Sequence, residues 1–198
     1  MTTAITRLRD QGYGRGREGG PMLQAALAYA QRLSWPVFPC HWITEAGTCS
    51  CNRPDCDSPG KHPLTGHGFK EASRDEAQIQ SWWSKWPLAN IGIATGAVSG
   101  FDVLDIDPRH GGDISLEDLE AQHGKLPETA EQITGGGGRH ILFRHVLGLK
   151  SRNEILPGID VKADGGYILA APSSHISRRH YAWEESSRPE AFFQGGGK

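Results

Sequence analysis

The residues Val103–Gly112, reading VLDIDPRHGG, constrain this chain more than any other stretch. Phe101, Val103, Leu104 and Ile106 give a run with the composition of a β-strand, and Pro108 stops it. Successive side chains of a strand point to opposite faces, so Asp105 and Asp107 share one face where the strand ends. Two carboxylates that close repel unless a cation lies between them or one takes a proton. One or two carboxylates together with substrate phosphates are a common way for a protein to hold Mg²⁺. A lone D-x-D is also what a strand running into a solvated turn looks like, so its meaning depends on the rest of the chain.

At 198 residues there is material for one domain or slightly more, with a sizeable core. Hydrophobic residues make up 37% and charged residues 22%, which suits a soluble globular chain. The formal net charge of −2 excludes a global basic field, so any nucleic-acid surface has to be local. No apolar run approaches a membrane span, and the N-terminus has no secretory h-region. Residues 1–20, with five Gly and four Arg, read as a flexible leader, and 186–198 as a linker toward a further C-terminal region.

All four cysteines fall between positions 40 and 56. Cys49, Cys51, Cys56 and His62 follow the pattern C-x-C-x4-C-x5-H in a loop rich in Pro and Gly. A loop with so few apolar side chains needs a metal to hold it, and Zn²⁺ takes four such ligands in a closed structural site. Cys40 and His41 are reserve ligands, although Cys40 also fits as a small buried hydrophobe. Ser58-Pro-Gly-Lys61 lacks the earlier glycine of a phosphate loop.

The remaining pattern alternates helices with short strands. Helical spacing predicts a helix over 22–33, and Trp35–Pro39 reads as a strand. Ser73 to Glu76 reads as a capping box opening a helix whose Trp82, Trp83 and Trp86 dock into the core. Residues 90–96 and 101–106 are expected to pair as a hairpin. Ser115 is expected to cap a helix ending at Gly124. Residues 131–134 and 141–143 read as strands flanking Gly135–Gly138, a tract that either cradles an anion with backbone N–H groups or makes a flexible tip. Arg139 and His140 would add charge and a donor there. Residues 159–163 and 167–171 are expected to pair across Asp164-Gly-Gly166, with Asp160 brought beside the first two aspartates, and Tyr181–Trp183 is a last strand. Arg139, Arg144, Lys150, Arg152 and Lys162 are expected to form a local basic surface. The fold class is therefore α+β, with a mixed, mostly antiparallel sheet flanked by helices.

Asp105-x-Asp107-Pro-Arg-His-Gly-Gly, then Gly138-Arg139-His140, then Ile159-Asp160 before a Gly-Gly turn, together resemble the three motifs of the archaeo-eukaryotic primase superfamily. The resemblance is to its bifunctional primase-polymerase family, and the Cys49–His62 loop is similar to that family's zinc-binding insertion. It covers roughly residues 21–185, with the zinc loop at 40–63. Lys162 stands where the family pattern has Arg, and Ala171-Pro172-Ser173 where it has Pro-Pro-Ser.

The resemblance implies an RNA-recognition-motif-like catalytic core and template-directed nucleotidyl transfer. Asp105, Asp107 and Asp160 would hold two Mg²⁺ or Mn²⁺ ions, and one Zn²⁺ would be structural. Gly138, Arg139, His140, Lys162, Ser173, Ser174 and His175 would contact a dNTP or NTP. The implied partners are a single-stranded DNA template, its primer, and a helicase or helical C-terminal domain. The implied setting is the cytoplasm, with the protein encoded by a bacterium, phage or plasmid as part of a mobile element. Two other readings fit D-x-D or the zinc loop alone: a metal-dependent transferase acting on a nucleotide sugar, and a non-catalytic zinc module that binds nucleic acid.

Overall fold

The computed structural model describes residues 19–189. The expected leader lies outside the described residues except for Gly19 and Gly20, and most of the expected linker also lies outside them. Pro21 opens α1 (Pro21–Arg32), where its missing N–H is no loss and its fixed φ suits the first turn. The strand expected at Trp35–Pro39 is β1 (Val37–Cys40), buried at every position. In α2 (Glu76–Lys85) the cap is Asp75, whose carboxylate accepts the Gln78 N–H at 2.7 Å. Ser73, the expected cap, instead accepts the Asp75 N–H. Ile79, Trp82 and Trp83 of α2 are buried, so the tryptophans do serve the core.

The later elements are β2 (Asn90–Ala94), β3 (Phe101–Ile106), α3 (Gly112–His123), β4 (Glu131–Ile133), β5 (Arg139–Arg144), β6 (Arg152–Leu156), β7 (Ile159–Lys162), β8 (Tyr167–Ala170) and β9 (Ala182–Trp183). They form a three-stranded sheet in the order β1-β2-β8 and a six-stranded sheet in the order β6-β7-β3-β5-β4-β9. Every pairing between these strands is antiparallel. With three α-helices among the described residues, the class is α+β.

Both expected hairpins dissolve into crossings between the sheets. β2 pairs with β1 and β8, and meets β3 only through a single bridge, Gly96 to Phe101. The reason is burial: every residue of β2 is buried, so it is a central strand and not a half-exposed hairpin arm. Likewise β7 joins β3, and β8 joins β2. The two crossings pack against each other. Thr95 Oγ1 donates to Ala163 O at 2.7 Å, and Ala97 N–H donates to Asp164 Oδ1 at 2.8 Å. Gly96, at φ +86°, leaves no room for a Cβ beside the Asp164 backbone.

Helix α3 begins four residues earlier than expected. Gly111, at φ +84°, turns the chain into it, and Ser115 lies inside it with its hydroxyl donating to Pro157 O at 2.8 Å. β6 was not expected at all. It is an exposed edge strand of Arg, Asn and Glu followed by Ile155 and Leu156, without a regular apolar alternation.

The six-stranded sheet separates two cores. One face, through Val103 and Leu142, packs with Trp35, Ile91, Ile93 and both N-terminal helices. The other, through Ile106, Ile141 and Ile159, packs under Leu116 of α3.

Candidate active site and metal centre

Four polar side chains from four strands fall in one row. Asp160 of β7 stands opposite Asp105 of β3, Asp105 opposite His140 of β5, and His140 opposite Gln132 of β4. Directly opposed residues of antiparallel strands share a face, so all four project to the side that carries Val103 and Leu142. There the two sheets diverge and leave a cleft of about 970 Å³, large enough for a nucleotide. Asp105, Asp107, His140, Asp160 and Lys162 line it, together with Lys61, Arg109, Tyr167 and Tyr181.

Two of the three carboxylates, Asp107 and Asp160, are ion-paired, which relieves within the protein most of the mutual repulsion inferred from D-x-D. Asp107 takes a bidentate pair from Arg109, at 3.0 and 2.8 Å, and contacts His110 Nδ1 at 3.0 Å. The Arg109 side chain is the first of several groups that hold the Asp107 carboxyl well below the usual range. Asp160 meets Lys162 Nζ at 2.7 Å and accepts the Glu154 N–H at 2.7 Å. Asp105 Oδ1 lies 3.5 Å from His140 Nε2. The backbone at Asp107 is held by two glycines: its N–H donates to Gly158 O at 2.8 Å, and its carbonyl accepts the Gly112 N–H at 3.0 Å.

The second half of the glycine tract closes a turn on Thr134. Gly137 N–H donates to Thr134 O and Gly138 N–H to Thr134 Oγ1, both at 2.9 Å, so neither is free for a phosphate. Glycine is needed at 138 because a Cβ there would run into the Ile106 carbonyl oxygen. The turn is instead bordered by cationic and imidazole side chains. Arg109 and His175 flank Gly136, and Arg179 covers Gly137. His175 accepts the Ser177 N–H at Nδ1, and burial, followed by Lys61 and Arg109, lowers its pKa to about 4.

Several expected contacts fall elsewhere. Arg139 stands opposite Ile106 and Ile133, on the far face of the sheet, where it pairs with Glu131 at 3.3 Å; it does not line the cleft. Ser173 is fully buried and accepts the Ile91 N–H, and Ser174 bonds Asn90; both tie strands together. The expected basic surface is dispersed as well. Lys150 pairs with Asp164 and Lys162 with Asp160, and register puts Arg144 and Arg152 on opposite faces. Lys61, Arg109, Gln132 and Arg179 had no assigned role in the sequence reading. Only Arg109 had a local signal, as the basic residue two positions after Asp107.

On the rim of the cleft, Cys49, Cys51, Cys56 and His62 bring their ligand atoms within 4.8 Å of one another, and they are the one such His/Cys/Asp/Glu group among the described residues. Cys49 Sγ and Cys56 Sγ each lie 3.5 Å from His62 Nε2. Tetrahedral bonds of about 2.3 Å to sulfur and 2.0 Å to nitrogen set an S···N edge of about 3.5–3.6 Å, so the group fits zinc. The Arg53 backbone N–H is the leading influence that pulls the Cys51 thiol down to about 6, which favours the thiolate a metal needs. The reserve ligands do not take part. Cys40 is fully buried with Phe38 and Leu169, and His41 Nδ1 bonds Ser50 while its ring lies against His62. The loop is anchored to the sheets by Asn90 Nδ2 on Gly60 O and by the Tyr167 hydroxyl on Lys61 O. Its Lys61 thereby reaches the cleft, next in sequence to a ligand.

The fold and site define an α+β domain with an acidic, cation-fringed cleft of nucleotide size and a Cys₃His loop on its rim. The family model described as bifunctional DNA primase/polymerase, N-terminal, matches residues 26–192, and the chain belongs to this Prim-Pol family. The family is of the nucleotidyltransferase type, and its description points to DNA and nucleotides as substrates. No curated protein matches the chain. Among the described residues no helix is long and apolar enough to cross a membrane.

Proposed function

We propose that this chain is the catalytic domain of a DNA primase/polymerase, with residues 21–185 forming the catalytic unit and the six-stranded sheet forming its RNA-recognition-motif-like core. The row Asp160–Asp105–His140, extended by Asp107, is the observation that carries this reading. Aspartates gathered at strand ends over a nucleotide-sized cleft suit two divalent cations, Mg²⁺ or Mn²⁺. When bound, such ions neutralise charge on the attacking 3′-oxygen and on the departing pyrophosphate. The protein's own share is positioning and charge. Lys61, Arg109, His175 and Arg179 surround the place for the triphosphate, and His140 donates to it from the sheet. Arg109 and Lys162 already neutralise Asp107 and Asp160, so metal entry exchanges one set of cations for another.

A primer or a first nucleotide would supply the 3′-hydroxyl opposite a single-stranded DNA template. The zinc loop would hold Lys61 and the cleft rim in place without joining the chemistry. A C-terminal partner region with helicase function, and a role in copying a bacterial, phage or plasmid mobile element, complete the proposal by family likeness.

The test is primer extension on a DNA template with dNTPs or NTPs and Mg²⁺ or Mn²⁺. Asp105→Asn, Asp107→Asn and Asp160→Asn should each abolish nucleotide addition while the protein still melts cooperatively. A folded Asp105→Asn chain that extends primers at the wild-type rate would refute the assignment. Turnover of a nucleotide sugar without any primer extension would place the chain among the D-x-D transferases instead.

A further inference from the structure

We infer that Gln132 is a positioning residue that locks His140 as the Nε2–H tautomer, so that a neutral N–H donor is always aimed into the cleft at a nucleotide phosphate. This rests on the polymerase reading for the identity of the phosphate, but not for the tautomer. The side-chain amide of Gln132 is fully buried and makes three hydrogen bonds. Its Oε1 accepts the Ala171 N–H at 2.7 Å, and its Nε2 donates to the Leu169 carbonyl at 2.8 Å. Backbone N–H and C=O groups cannot exchange roles, so they fix which end of the amide is which. Turning it over would set donor against donor and acceptor against acceptor. The second amide hydrogen is then committed to His140 Nδ1, 2.8 Å away. Nδ1 must present its lone pair, and the ring proton sits on Nε2.

That proton has no good partner among the described residues. Among the described residues, His140 Nε2 meets Asp105 Oδ1 at 3.5 Å, longer than an effective bond, while the ring itself lines the cleft. The donor is therefore held ready for an acceptor that arrives. The tie to Leu169 and Ala171 has a second effect. Leu169 belongs to β8 of the small sheet, so one buried amide sets the imidazole of the large sheet relative to the opposite wall of the cleft.

Ring ¹⁵N NMR on the metal-free, nucleotide-free protein reads the tautomer without any substitution. His140 should show an unprotonated Nδ1 and a protonated Nε2, and only the Nε2–H signal should move when inorganic tripolyphosphate is added. A wild-type His140 protonated at Nδ1 would overturn the inference. Gln132→Glu is nearly isosteric and keeps an acceptor for Ala171 N–H, but it cannot donate to Nδ1 while also serving Leu169. In that variant Nδ1 should gain the proton, and an unprotonated Nδ1 would count against the lock.

Tripolyphosphate affinity should then fall about tenfold, the scale of one charge-assisted hydrogen bond. In a His140→Ala background the same change should alter affinity less than twofold. An equal loss in both backgrounds would mean that Gln132→Glu acts through its own charge, and the positioning role would fail. A wild-type chain that shows the tautomer and binds tripolyphosphate but extends no primer would refute the polymerase reading and leave this inference standing.

Discussion

Replacing Gly112 by Ala sets two effects against each other. Gly112 is the first residue of α3, where helix propensity alone would have Gly→Ala stabilise by up to about 1 kcal/mol. A Cβ at this position, however, would lie 2.8 Å from Asp107 N and 2.9 Å from Asp107 O, and closer still to the Gly158 carbonyl oxygen. Non-bonded contacts of this kind prefer roughly 3.5 Å, so the Asp107 backbone has to retreat by about 0.6–0.7 Å and the Gly158 carbonyl by about 1 Å, and none of the three atoms is a flexible side-chain end. Overpacking on that scale costs about 1–3 kcal/mol, so the steric term wins. The melting temperature should fall by about 2–12 °C, at roughly 2–4 °C per kcal/mol for a chain of this size.

The part that yields is the backbone of Asp107, which should drop primer extension by about 10²-fold, the scale of a misplacement near 1 Å. Gly124→Ala, at the other end of the same helix, is the control. Its φ is +91° and nothing lies within 4 Å of the new Cβ, so it should lose about 1–2 kcal/mol to backbone strain yet keep its activity. Thermal melts and single-turnover extension of the two variants side by side decide the matter. A Gly112→Ala protein that melts no lower than wild type and extends normally would show that the Gly112–Gly158 contact does not position Asp107.

The other predictions concern the cleft rim. If the Cys₃His group holds zinc, Cys51→Ser should abolish zinc binding, measured by elemental analysis, and should raise the KM for the incoming nucleotide more than it lowers kcat, because Lys61 is tethered beside His62; Lys61→Ala should give the same kinetic pattern with zinc binding intact. Unchanged nucleotide KM in both variants would confine the loop to other work. Arg179→Ala should raise nucleotide KM by about tenfold, whereas Arg139→Ala, paired with Glu131 on the far face, should stay within twofold; the reverse order in steady-state kinetics would contradict the side-chain placement.

The site was legible where chemistry and strand periodicity coincide. Strand alternation puts Asp105 and Asp107 on a shared face, the Cys/His spacing picks out the four residues whose ligand atoms converge, and Asp160 stands opposite Asp105. What failed was pairing. A short turn such as Gly96–Gly100 or Asp164–Gly166 looks the same whether the strands on either side join each other or part into two sheets, and only the burial of every residue in β2 settles it. Arg139 misled because adjacent strand residues point oppositely: His140 facing the cleft forces Arg139 away from it. Gln132 and Lys61 gave no signal, since one meets a partner eight residues on and the other reaches the cleft on a loop folded back from far upstream. The glycine tract left a phosphate cradle and a turn tip equally open, and the bonds of the Gly137 and Gly138 N–H groups to Thr134 are local ones that composition does not reveal.

The row Asp160–Asp105–His140–Gln132 is contiguous in space but draws on four strands whose chain order is scrambled. Gln132 and His140 meet across the local β4–β5 hairpin, but no hairpin or helical turn contains the two aspartates, so the entropy of closing the long intervening loops falls before Asp105 meets either His140 or Asp160. Catalytic competence should thus be a late event in folding and the first casualty of losing any one of these strands. Under increasing urea, activity and far-UV circular dichroism should disappear in a single transition. Activity fading well before the backbone signal would mean that the centre can come apart while the sheet survives.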